Sequence, residues 1–242
     1  MNISDFVRSN AATSYLNRSV STQSSNSVNL SGLDDAKKRI QSQQDSTTTE
    51  LSSIGKLKSA ISDTQSTAKI LSGFSEKSSF TSVKTGADAF VKSFNSTIGL
   101  AKTTANVQTQ TSSSQSAARA GKDMGASLDS KTTESLNKIG ITVQGDGTLA
   151  IDEKKFAEAQ KSDSANVNST LSDFGKKVDK TAANELASSG SVGKSMSVLN
   201  QRSSDLNIQQ NTLSAIQQSA NAAFTGSSFL SNLGISTYRN FV

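Results

Sequence analysis

SVGKSMSVLNQRSSDLNIQQNTLSAIQQSANAAF, Ser191 to Phe224, is the stretch that decides the fold. Val192, Met196, Leu199, Ser203, Leu206, Gln210, Leu213, Gln217, Ala220 and Phe224 follow one another at steps of four and three. A sustained period of about 3.5 residues is the signature of a helix whose apolar seam faces another helix. After Leu199 every second seam position is polar: Ser203, Gln210, Gln217. Polar seam residues fix register at a cost in stability. Such a helix suits an intramolecular bundle, or a crowded assembly in which its amides find partners.

Leu136 to Gln160, LNKIGITVQGDGTLAIDEKKFAEAQ, is different in kind. It reads as a helix end, a strand at Ile141–Val143, a turn at Gly145, Asp146 and Gly147, a strand at Thr148–Ile151, and a helix capped by Asp152. Two β-prone runs around Gly-Asp-Gly form a hairpin signal. Calcium binding by Asp146 and Asp152 is the sharper alternative, but calcium takes six to eight oxygens and no further ligand spacing accompanies the pair.

Toward the N-terminus two more helices are expected. One runs from Asp34, read as its N-cap, to Leu71, with Gly73 beyond its end. Its apolar residues include Ile40, Leu51, Ile54, Leu57, Ile61, Ala68 and Leu71, and a heptad seam is traced through Leu51, Ile54, Lys58, Ile61, Gln65 and Ala68. The other starts near Val83 and reaches toward Met124, with a stripe of Val83, Ala87, Phe90, Phe94, Ile98, Ala101 and Ala105. From Thr109 to Ser116 no large apolar residue appears, which predicts a loop or a helix held by its neighbours.

Composition narrows the function classes. Of the 242 residues 33% are apolar and 5% aromatic. Leu, Ile, Val and Phe make roughly a fifth, near the limit at which chains bury enough surface to fold. The chain has no His, Cys, Trp or Pro. It therefore has no thiolate nucleophile, disulfide or zinc finger, and it lacks the commonest general base. Its carboxylates and lysines show no paired spacing, so an enzyme is the least expected class, and no cofactor or metal site is read. The absence of Pro suits long helices, since Pro inside one costs about 3 kcal/mol. The net charge of +5 is spread thinly, without the basic clusters and stacking aromatics of a nucleic-acid binder. The first twenty residues contain no apolar h-region for a cleavable signal peptide, and no stretch approaches a membrane span.

Residues 1–30 and 226–242 are Ser/Asn-rich without a period. They are expected to be disordered alone and to act as assembly arms, anchored by Phe6, Tyr15, Phe229, Tyr238 and Phe241. The fold class is thus mainly α: an elongated antiparallel helical bundle or coiled coil over 31–225, with one small β-hairpin at 141–151 and disordered terminal arms. Helix–helix or assembly contacts are expected at Met196, Leu199, Leu206, Leu213 and Phe224, against Leu51, Ile54, Leu57 and Ile61, with Phe90 and Phe94 on the second helix.

Two stretches carry a family resemblance. SGLDDAKKRI at Ser31–Ile40, with LSSIGKLKSA at Leu51–Ala60, resembles the start of flagellar cap proteins (hook-associated protein 2). ADAFVKSFN at Ala87–Asn95, followed by LNKIGITVQGDGTLAIDEKKF, resembles their C-terminal half. Typical members separate the halves by large plate domains, whereas here only Ser72 to Gly86 connects them, so the resemblance implies a helical leg region without the plate. It implies a secreted bacterial flagellum component, exported without a cleavable signal peptide, that forms a homo-oligomer at the filament tip and guides flagellin assembly. Implied partners are other copies of itself, flagellin, hook–filament junction proteins and an export chaperone. Alternatives are a flagellin-like or needle-like filament subunit, or a secreted coiled-coil adhesion or adaptor protein.

Overall fold

A computed structural model describes residues 31–107 and 111–239, with side-chain environments given between Gly32 and Ala222. Among the described residues there are seven helices and one antiparallel hairpin: α1 (Ser31–Ser72), α2 (Phe80–Ala105), α3 (Ser112–Ala126), α4 (Ser130–Lys138), β1 (Ile141–Val143), β2 (Leu149–Ile151), α5 (Glu153–Ser162), α6 (Ser164–Leu186) and α7 (Ser191–Arg239). The chain divides into two compact units. One spans Thr47–Arg202; the other holds the residues before Thr47 and after Arg202.

The Thr47–Arg202 unit contains the hydrophobic core. α1 contributes Ile54, Leu57, Ile61, Ala68 and Leu71, and α2 contributes Val83, Ala87, Phe90, Phe94, Ile98 and Ala101. At its centre three rings meet: Phe90 and Phe94 of α2 lie 5.7 Å apart, and Phe174 of α6 stands edge-on to Phe90 at 5.2 Å. Edge-to-face geometry matches the positive rim of one ring to the negative face of another.

α1 and α6 run antiparallel at close range. The Asn168 amide donates to the Ser75 carbonyl at 2.8 Å and the Ser172 hydroxyl to that of Ser72 at 2.9 Å. Next along, a Cβ at Gly175 would come within 2.6 Å of the Ala68 carbonyl oxygen. Only a glycine lets the two backbones approach this far. Descending numbers on α1 thus meet ascending numbers on α6.

The observed seam on α1 corrects the one traced from sequence. From Ile54 onward the buried positions are Ile54, Leu57, Ala60, Ile61, Thr64, Ala68 and Leu71, whereas Lys58 is exposed and Gln65 half-buried. The register is therefore Leu57–Thr64–Leu71, one residue before Lys58–Gln65. Thr64 is accommodated because its hydroxyl bonds to the Ala60 carbonyl and to the Thr97 hydroxyl of α2, both at 2.9 Å.

Three further boundaries differ from the sequence reading. α1 begins at Ser31, so Asp34 lies in its first turn, where a carboxylate complements the helix dipole, instead of capping it. The helix expected from Val83 toward Met124 is two helices. α2 ends at Ala105, and α3 restarts at Ser112 behind a capping box in which Thr111 and Ser114 satisfy each other's backbone N–H. α7 continues through Arg239, well past the Phe224 where the heptad pattern stops. The hairpin and its following helix agree with the reading, except that β2 starts at Leu149, one residue after the expected Thr148. Ile141 pairs with Ile151, Val143 with Leu149, and Asp152 caps α5 by accepting from Lys154 and Lys155 N–H at 3.1 Å.

Candidate assembly surface

The two motifs of the second resembling stretch, ADAFVKSFN and the GDGTLAID hairpin, meet in space. Asn95, last residue of the FVKSFN segment on α2, faces the backbone of Leu149 in the GDGTLAID segment. Its amide donates to the Leu149 carbonyl at 2.8 Å, and its side-chain oxygen accepts the Leu149 N–H at 2.7 Å. The side chain stands in for a neighbouring strand and satisfies both edge groups of β2. A second tie runs from the Lys102 ammonium to the Asp146 carbonyl. The hairpin is therefore docked on α2.

The turn is held from within. Asp146 accepts from the Thr148 hydroxyl at 2.6 Å and from its N–H at 2.9 Å, and these bonds hold its carboxyl below the usual carboxylate range. Gly147 has φ +81°, a conformation that residues with a side chain rarely adopt. Gly145 shows no positive φ. Behind the hairpin, Gly140 has φ +83°, and a Cβ there would lie 2.7 Å from the Phe156 amide nitrogen. Asp146 and Asp152 are engaged with neighbouring backbone, and among the described residues no cluster of three or more metal-ligating side chains occurs.

Ion pairs tie the outer helices together. Lys177 of α6 reaches Asp129, the N-cap of α4, at 2.6 Å, which holds the Asp129 carboxyl far below its ordinary range. Lys84 of α2 bridges Asp88 at 2.9 Å and Glu153 of α5 at 3.5 Å.

The expected contact residues fall into three groups. Ile54, Leu57, Ile61, Phe90, Phe94 and Leu199 are buried in the core, and Leu51 and Met196 pack against it. Packing within the chain thus occupies all eight. In the other unit Leu206 is buried and Leu213 half-buried. Phe6, Tyr15 and Phe241 lie outside the described residues, as do the side chains of Phe224, Phe229 and Tyr238.

That other unit brings α1 and α7 together as a helix pair. The Gln44 amide donates to the side-chain oxygens of Asn207, at 3.0 Å, and Gln210, at 2.9 Å. The polar seam residue Gln210 thereby finds a partner. Along α1, Leu33, Ala36, Ile40 and Gln44 are half-buried, as are Leu213, Ile216, Gln217 and Ala220 along α7. This mixed stripe is the candidate assembly surface.

Residues 122–226, from the end of α3 through the hairpin and into α7, match the family model of the flagellar hook-associated protein 2 C-terminus. This segment belongs to the flagellar hook-associated protein 2 family. No curated protein and no solved structure matches the chain. The family segment includes the Leu149 edge that Asn95 holds, whereas Asn95 itself precedes it. No helix among the described residues is long and apolar enough to cross a membrane. Sequence reasoning missed α6, which supplies Phe174 to the core, Asn168 to the α1–α2 connector and Ser172 to the end of α1. The signal was present as an apolar stripe at Val167, Leu171, Phe174, Val178 and Ala182.

Proposed function

We propose that this chain is an extracellular structural component of the bacterial flagellum, which self-associates at the filament tip and promotes flagellin assembly. The observation that carries the reading is the family match over residues 122–226. The helix pair outside the core supports the self-association. Its stripe leaves Leu33, Ile40, Leu213 and Ile216 half-buried, and a lone two-helix pair with polar seam positions is marginal in water. Additional copies packing against that stripe complete the burial.

The test is complementation of a flagellated strain lacking its own cap protein. Expression of this chain should shift flagellin from the culture medium into polymerised filaments, and negative-stain images of the purified protein should show closed rings. Flagellin left entirely in the medium, with a monomer on the grid, would count against the proposal. Open helical filaments of the purified chain would favour the reading as a filament subunit.

A further inference from the structure

Glu185, near the end of α6, is 5% exposed, and its Oε2 has no hydrogen-bond partner. A buried carboxyl is costly to ionise unless the charge is compensated. At the end of α3 the Ser127 hydroxyl bonds that of Thr181 on α6 at 3.1 Å, which brings the exposed Asp123 of α3, one turn earlier, level with Glu185, one turn later. Ser191, the first residue of α7, also interacts with the Glu185 carboxyl. One turn further along α7, the Ser195 hydroxyl is likewise buried without a partner. The α6–α7 turn closes directly over this place, because Gly190 lies against the Asn184 and Glu185 carbonyls, where a Cβ would come within 2.0 and 2.6 Å. Three helices therefore converge on two facing acids.

We propose that Asp123 and Glu185 form a proton-held latch: a shared proton joins α3 to the turn from which α7 departs, and its loss loosens that junction. With the proton present, one carboxyl donates to the other, and Ser191 donates to the pair. Without it, two anions face each other and one of them is desolvated.

The direction of the titration agrees. Burial, then the Asp123 hydrogen bond and charge, push the Glu185 carboxyl above its ordinary value of 4.5. A group whose folded pKa is raised contributes stability that is fully present below the unfolded value. That contribution is lost as pH rises through the folded value. The latch is thus closed in acid and weakens toward neutrality.

The test compares the full-length chain with Glu185→Gln and Asp123→Asn by thermal unfolding across that pH range. Glu185→Gln keeps a donor and acceptor but cannot ionise. It should raise Tm relative to the native chain near neutral pH, with the gap shrinking below pH 4.5. A Tm loss of equal size at every pH would overturn the latch and leave Glu185 a packing residue. Carboxyl-carbon NMR titration of the native chain is a second readout. Glu185 should titrate above the other glutamates, and Asp123→Asn should move its midpoint back toward them. A Glu185 midpoint at the ordinary glutamate value overturns the proposal whether or not the variants fold.

Discussion

Asn95 connects two segments that are far apart in sequence, and the connection is purely polar. Replacing it with Ala leaves the Leu149 N–H and C=O on a part-buried edge without partners. Each unsatisfied group costs about 1–3 kcal/mol, so Asn95→Ala should lower the denaturant midpoint by an amount well above that of a surface change. Asn95→Asp keeps the acceptor for the Leu149 N–H but not the donor, and should fall between the two. Equal stability of all three proteins in urea unfolding would mean that the clamp contributes nothing. Gly147 is the matching backbone case. Its left-handed φ makes Gly147→Val destabilising by about 1 kcal/mol or more, whereas Asp146→Ala should leave Tm indifferent to added calcium. A calcium-dependent Tm in the native chain that disappears in Asp146→Ala would show a metal site at the turn.

At the scale of elements, the seam of α1 separates two registers that differ by one residue. In the observed one Leu57 is fully buried and Lys58 is exposed. Leu57→Ala should therefore cost about 2–5 kcal/mol through lost burial and a cavity, and Lys58→Ala should stay within about 0.5 kcal/mol of the native chain. Comparable losses from both would mean that α1 packs in the other register. The sequence misled here because Thr64 occupies a core position. A threonine looks like a break in an apolar stripe until its hydroxyl is seen bonding to Thr97 across the helix interface. The hairpin was legible, since Gly-Asp-Gly and the Asp152 cap act through local backbone geometry alone. So was the α7 seam, whose positions from Val192 to Ala220 are all buried or half-buried. α6 was not, because its stripe is diluted by Ser, Asn and Lys and becomes informative only when Phe174 meets Phe90. The break between α2 and α3 was half visible, as a fading stripe without the Thr111–Ser114 capping box. The candidate surface was legible only as a pattern of half-polar seams. Which of those seams the core consumes depends on tertiary packing.

At the scale of the whole molecule, the connected hydrophobic core cluster among the described residues lies between Ile54 and Leu199, inside the Thr47–Arg202 unit. Folding stability scales chiefly with apolar surface removed from water, so this unit holds the main source of it. The helix pair of the other unit contributes the buried Leu206, half-buried residues and amide contacts such as Gln44 with Asn207. Two consequences separate folding from assembly. A fragment of residues 47–202 should unfold cooperatively, with a helical circular-dichroism signal and a Tm within several degrees of the full chain. It should also remain monomeric in analytical ultracentrifugation at concentrations where the full chain associates. In the full chain, a Gln44→Cys, Asn207→Cys pair should be joined by a short bis-maleimide cross-linker, because the native side chains are in hydrogen-bond contact. A fragment that is unfolded would place essential burial in the outer helices. A fragment that associates as the full chain does would move the assembly surface onto the core unit, and the stripe from Leu33 to Gln44 would then have no part in it.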